Sequence, residues 1–158
     1  MFRKMRRFKQ QVSNEECIQI LKEEKRGVLS MIGENGYPYG IPINFYYDEE
    51  AGKIYFHCAK EGHKIDALRK DNRVSFCTHN TGFQKEGDWA WNVTSVVVFG
   101  TITLVEDKEK TYEHVRKLGL KYHPTAESVE EEMKKAAARV QLLELSIEHM
   151  TGKLVNES

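Results

Sequence analysis

From Tyr39 to Tyr47 the apolar residues fall on every second position: Tyr39, Ile41, Ile43, Phe45 and Tyr47. That period puts all five on one face of an extended strand and commits the segment to a half-buried sheet. The pattern returns beyond a turn at Asp48–Gly52, where Ile54, Phe56 and Cys58 share a face within Lys53–Ala59. Further strand-like runs lie at Val28–Ile32, Val74–His79, Thr94–Val105 and Val140–His149, and Glu34-Asn35-Gly36 supplies a tight turn. Helical signals are fewer. Ser13 and Glu16 form a capping-box pattern ahead of a stripe of Cys17, Ile18 and Leu21, with Gly27 as the stop. A short helix spans His63–Lys70. Another opens at Asp107 and runs to about Tyr122, ahead of Pro124. Ser128 and Glu131 repeat the capping pattern for a last helix ending near Arg139. Strand and helix do not alternate regularly, which excludes a doubly wound parallel sheet. The expected class is mainly β with flanking helices (α+β), an antiparallel barrel of six or seven strands.

At 158 residues with 40% apolar and 30% charged content, the chain predicts one domain with a core that needs no disulfide or structural metal. No apolar run approaches the roughly 18 residues of a membrane span. The 24 basic and 24 acidic residues cancel, which argues against a nucleic-acid coat or a polybasic membrane anchor. Cys17, Cys58 and Cys77 are odd in number and widely spaced, so they predict neither a disulfide framework nor a zinc site. The first twelve residues are basic without an apolar signal core, which predicts a cytoplasmic protein. The expected organisation is a basic arm at 1–12, a single domain at 13–153 and a tail at 154–158. The arm carries Arg3, Lys4, Arg6, Arg7 and Lys9, and reads either as solvated or as a clamp on an anion.

Chemistry concentrates where the strand Lys53–Ala59 runs through Gly62 into the helix beginning at His63 and Lys64. A helix start presents free N–H groups and the positive end of the dipole, and two basic residues there oppose that dipole unless an anion joins them. A phosphate satisfies this arrangement; an exposed helix start with a chance basic pair is the alternative. Pro42 and Gly40 in one strand mark an edge, or an open face against which a flat ring can lie. His57 points away from the Phe56 and Cys58 face, as a proton donor to a ligand or as a structural histidine. His57 and Cys58 face opposite ways, so no metal is expected. Trp89 and Trp91 flank an irregular segment and read as core edge, interface or lid.

These segments together resemble the FMN-binding split-barrel superfamily of pyridoxamine-phosphate-oxidase-like proteins, and within it the nitroimidazole-resistance (Nim-type) reductases. The carriers are Gly40–Phe45, Tyr55–Leu68, Asn72-Arg73-Val74, Ser95–Gly100 with Leu104–Asp107, and Thr151-Gly152-Lys153. The resemblance implies a homodimer with FMN at the subunit interface. It implies a flavin ring along Ile41, Pro42, Ile43 and Asn44, a phosphate held at His63 and Lys64, and a ring and ribityl chain lined by His57 and Cys58. Ser95 matches a polar position reaching the cofactor, and in Nim-type proteins a histidine at the place of His57 lies close to the flavin. Tyr39 and Asn44 stand where pyridoxamine-phosphate oxidases carry an arginine and a lysine, and their C-terminal substrate motif is absent, which argues against vitamin B6 synthesis. The implied function is an FMN-dependent oxidoreductase with His57 as its catalytic residue, reducing small aromatic or nitro compounds. NAD(P)H would serve as a transient donor, because no G-x-G-x-x-G is present. A non-catalytic flavin carrier or stress sensor is the alternative.

Overall fold

The computed structural model describes residues 1–123 and 125–157; Pro124, the expected helix breaker, lies outside them. Among the described residues the strands are β1 (Gln11–Val12), β2 (Arg26–Ile32), β3 (Pro38–Asn44), β4 (Tyr46–Asp48), β5 (Lys53–Ala59), β6 (Arg73–His79), β7 (Phe83–Gln84), β8 (Trp91–Val105) and β9 (Val140–Glu157). The helices are α1 (Asn14–Glu23), α2 (His63–Lys70), α3 (Lys108–Tyr122) and α4 (Ala126–Ala136). Every ladder is antiparallel, in the order β3-β2-β6-β8-β9-β5-β4, with β1 on β9 and β7 on β8. The sheet curls into a half-barrel that brings β3 back against β5.

Alternation sets what the barrel encloses. Leu29, Met31, Phe45, Ile54, Phe56, Phe76, Val96, Val98, Leu143 and Leu145 fill the interior, and Tyr39, Ile41 and Ile43 pack against it. Phe76 takes Phe45 and Phe56 edge-on, at centroid distances of 4.8 and 5.2 Å. The β8–β9 ribbon changes direction at a bulge, where Phe99 pairs with His149 but Gly100 pairs with Ile147. A Cβ at Gly100 would lie 2.0 Å from the Ser146 carbonyl oxygen, so the crossing requires glycine.

Several boundaries differ from expectation, and the strand expected over Tyr39–Tyr47 breaks at Phe45 into β3 and β4. The capping box at Ser13 forms, with N–H bonds of 2.9 and 3.2 Å to and from Glu16, but α1 ends at Glu23. Gly27 belongs to β2 instead, because the Phe76 ring lies 2.3 Å from where its Cβ would be. Thr125, rather than Ser128, caps α4 by accepting the Ser128 N–H at 3.2 Å. Strand β9 continues to Glu157 alongside Trp91–Val105, so the segment from Leu154 to Glu157 is sheet rather than tail. The two-residue strands β1 and β7 are too short for a periodic pattern to mark.

Helices α3 and α4 form a hairpin between β8 and β9. Val115, Val129 and Met133 pack on Tyr55, Val105 and Leu142 outside the barrel. The C-terminus of α3 locks to the break between β3 and β4. There the Tyr122 hydroxyl accepts the Phe45 N–H at 2.9 Å and donates to the Lys25 carbonyl at 2.6 Å. The Lys121 ammonium donates to the carbonyls of Glu24 at 2.6 Å and Phe45 at 3.0 Å, and lies 3.8 Å over the Phe45 ring. Burial brings this ammonium down to about 8.

Buried Glu144 ties the other end of α3 to β5, accepting from the Tyr55 hydroxyl at 2.8 Å, Lys53 at 3.0 Å and Lys110 at 2.5 Å. Burial works to raise its carboxyl, but the bonds from Lys110, Lys53 and Tyr55 outweigh it and hold the group at about 2.

Tyr122→Phe removes the acceptor of a strand-break N–H and is expected to cost about 1–3 kcal/mol in urea unfolding. For Glu144 the unfolded chain binds the proton more readily. Its contribution is therefore full above pH 4.5 and falls away as the pH approaches 2. Across that window Tm should fall more steeply for the wild type than for Glu144→Gln.

Candidate functional site

Strand β5 divides its side chains between two environments. Ile54, Phe56 and Cys58 turn into the barrel, while Tyr55 and His57 turn toward the helical hairpin. Around His57 lie two adjoining cavities. The first, of about 490 Å³, opens between β5 and the α3–α4 hairpin, and its wall includes Asn44, His57 and Tyr122. The second, of about 520 Å³, is bounded by His57, Cys58, Ala59, Lys64, Ala136, Arg139 and Val140.

The second cavity carries the positive charge. Lys64 stands in the first turn of α2, whose N-cap is Gly62 and whose leading N–H groups receive no side-chain cap. Arg139 arrives from the turn after α4, delivered by the register that pairs Ala59 with Val140. With Ala59 and Ala136 leaving room between them, Arg139 and the Lys64 of an uncapped helix start border an open space suited to an anion. His57 keeps an exposed edge, but desolvation by the atoms crowded around its ring lowers the imidazole below its ordinary value, and the Lys64 charge lowers it further. Burial raises the Cys58 thiol, against the opposite pull of Lys64. At neutral pH His57 is therefore an uncharged ring and Cys58 a protonated thiol.

The structure brings Asn44, His57, Cys58 and Lys64 to one place, and separates other expected members. His63 turns away from Lys64. Its ring stacks on Tyr39 at 4.1 Å, and its Nε2 accepts the Glu34 N–H at 3.4 Å. Ile41 and Ile43 face the barrel interior, so only Pro42, Asn44 and the edge backbone of β3 meet the outside. Ser95 pairs with Lys153, whereas His57 pairs with Leu142. Eleven residues of β9 and the bulge opposite Gly100 part those positions (153 − 142). Among the described residues, no three His, Cys, Asp or Glu side chains converge as a metal cluster. Trp89 is 87% exposed, which removes it from the core. The basic arm crosses the sheet's outer face, with Phe2 stacked 4.8 Å from His149.

Arg139, Tyr122 and Glu132 line the two cavities and were not among the expected site residues. Each is delivered by tertiary packing of the hairpin. The one legible hint is the basic residue directly before the strand at Val140.

A curled antiparallel half-barrel of this strand order is a split barrel, and here a cation-lined cavity lies between β5, α2 and the turn that leads into β9. The family model described as pyridoxamine 5'-phosphate oxidase matches residues 13–154, and the chain belongs to that family. A search of curated proteins gives no match. Solved structures share the fold. A protein from Bacteroides thetaiotaomicron, provisionally named for 5-nitroimidazole antibiotic resistance, is 19% identical over 92% of this chain and 87% of its own, with a TM-score of 0.78. A conserved protein of Mycobacterium tuberculosis is 18% identical over 96% and 90%, with a TM-score of 0.79. An FAD-binding protein from Mesorhizobium loti is 24% identical over 92% and 96%, with a TM-score of 0.66.

The proximity of Lys64 to His57 can be checked by NMR titration of the imidazole. Lys64→Gln is expected to raise the His57 pKa while leaving it below the ordinary value, since burial is the larger cause. An unchanged titration would place Lys64 away from the ring.

Proposed function

We propose that the chain binds flavin mononucleotide and acts as an oxidoreductase on small aromatic or nitro compounds. The observation that carries this reading is the cavity beside His57, where Lys64, Arg139 and the uncapped start of α2 meet. That donor set fits a terminal phosphate. The outward edge of β3 at Pro42 would wall the flat ring, which reaches the adjoining cleft only at the rim where Asn44 stands. Membership of the family, and the flavin named for the Mesorhizobium loti structure, support the same reading. Bound flavin would supply the two-electron redox chemistry, with NAD(P)H as the transient donor. Lys64 and Arg139 hold the anionic end. His57, uncharged at neutral pH, gives one hydrogen bond and accepts another beside the ring.

The same reading takes a second copy of the chain as partner. On the outer face Pro42, Val28, Cys77, Val97 and Thr151 stand side by side across five strands. Val28, Ile32 and Leu154 on this sheet are each more than a third exposed, and Phe99 beside them is stacked by Phe2 of the arm. The apolar row reaches β3 next to the Asn44 wall. A copy seated there would roof the cavity, and would be the source of the Ser95 that the cofactor meets.

Purified protein is expected to be yellow or to become so with FMN, and mass analysis of the released ligand distinguishes FMN from FAD. Lys64→Gln with Arg139→Gln removes two charged donors worth about 1.5–3 kcal/mol each, so flavin affinity should fall at least about tenfold. His63→Gln should leave it within about threefold, because that ring serves Glu34. Colourless protein that takes up neither flavin overturns the reading; bound flavin that NAD(P)H does not reduce would leave a carrier.

A further inference from the structure

The two cavities that share His57 have opposite electrical character. Lys64 and Arg139 line one. The other has no lysine or arginine in its wall, and its one carboxylate is Glu132 on α4. Among the described residues Glu132 enters no ion pair, so its charge is not consumed by a neighbour. The remaining ionisable groups at the wall are His57 and His123, with Tyr122 already bonded to the Lys25 carbonyl. Leu118, Val129 and Met133 supply a buried apolar side. Asn44 and Ser128 add neutral polar groups. At about 490 Å³ the space matches a compound of one or two rings.

We infer that the cleft between β5 and the α3–α4 hairpin is the substrate site, that it takes a planar compound carrying no negative charge, and that Glu132 sets this preference. The inference rests on the flavin reading, which assigns the anionic end of the cofactor to the neighbouring cavity. An anionic substrate is drawn to Lys64 and Arg139 and meets the Glu132 carboxylate if it enters the cleft. A neutral or cationic ring meets apolar walls, an amide and a hydroxyl, and a cationic one gains the carboxylate. Glu132 is exposed, so its effect is a modest discrimination between charge states, larger at low salt.

Three probes of one size and different charge test this: 4-nitrobenzylamine, 4-nitrobenzyl alcohol and 4-nitrobenzoate. Their affinities for the full-length protein are measured by calorimetry at low salt, with and without FMN. The expected order is amine, then alcohol, then benzoate, spanning about tenfold. Glu132→Gln should erase the advantage of the amine over the alcohol, and Glu132→Lys should bring the benzoate ahead of the amine. Both substitutions lie on an exposed helix position, and a thermal melt confirms that each variant folds. Equal affinity for the three probes, an order indifferent to Glu132→Lys, or no binding of any probe overturns the inference. Flavin uptake is recorded in the same samples. Retained uptake with a flat probe order sinks the cleft assignment alone; absent uptake with the expected order sinks the flavin reading and leaves the cleft as a site for such rings.

Discussion

Phe45 occupies the place where the sheet stops being a sheet. Between β3 and β4 its backbone has no strand partner, yet its side chain is fully buried against Phe76. An interior N–H and C=O left unpaired there would cost more than the ring's burial could comfortably offset. The chain satisfies both with side chains from the end of α3, Tyr122 and Lys121. The same two residues reach the carbonyls that close α1. One junction thus joins the edge strand, the first helix and the helical hairpin. It also fixes Tyr122 and Asn44 on the wall of the cleft.

The site follows from that junction and from one strand. Because β5 alternates, the barrel takes Phe56 and Cys58 and leaves His57 at the seam. The register of β5 on β9 then sets Val140 across from Ala59, with Arg139 in the turn just before it. Lysine and arginine, seventy-five residues apart in sequence (139 − 64), meet without either element departing from regular geometry. The imidazole on the same wall is kept neutral at pH 7 by desolvation and by the nearby ammonium, a condition that favours hydrogen bonding over proton storage.

Much of the fold was legible because its signals are local. Period-two alternation marked β3 and β5, the Ser13–Glu16 pair marked the start of α1, and α2 begins and ends where its residues predict. What escaped was non-local. Gly27 reads as a helix stop until Phe76, forty-nine residues on (76 − 27), is seen to occupy its side-chain space. His63 reads as a second cation until Tyr39 and the Glu34 N–H claim its ring. The continuation of β9 into Lys153–Glu157 depends on the length of β8 opposite, since its own residues show no clean alternation. The resemblance to split-barrel proteins pointed to His57, Cys58 and Lys64 as neighbours of one ligand; it did not supply Arg139, Tyr122 or Glu132.

The α3–α4 hairpin is spliced between two strands that are already hydrogen-bonded along their whole length, so the barrel does not rely on it for connectivity. Of α4, only Val129 and Met133 are buried. Apart from Glu130, bonded to Tyr112 and Arg116, and Ala136 beside the anion cavity, its remaining positions are at liberty to vary under selection. A lineage of such proteins can therefore exchange one target compound for another by rewriting a single amphipathic helix, while the cofactor pocket and the barrel pass unaltered from ancestor to descendant.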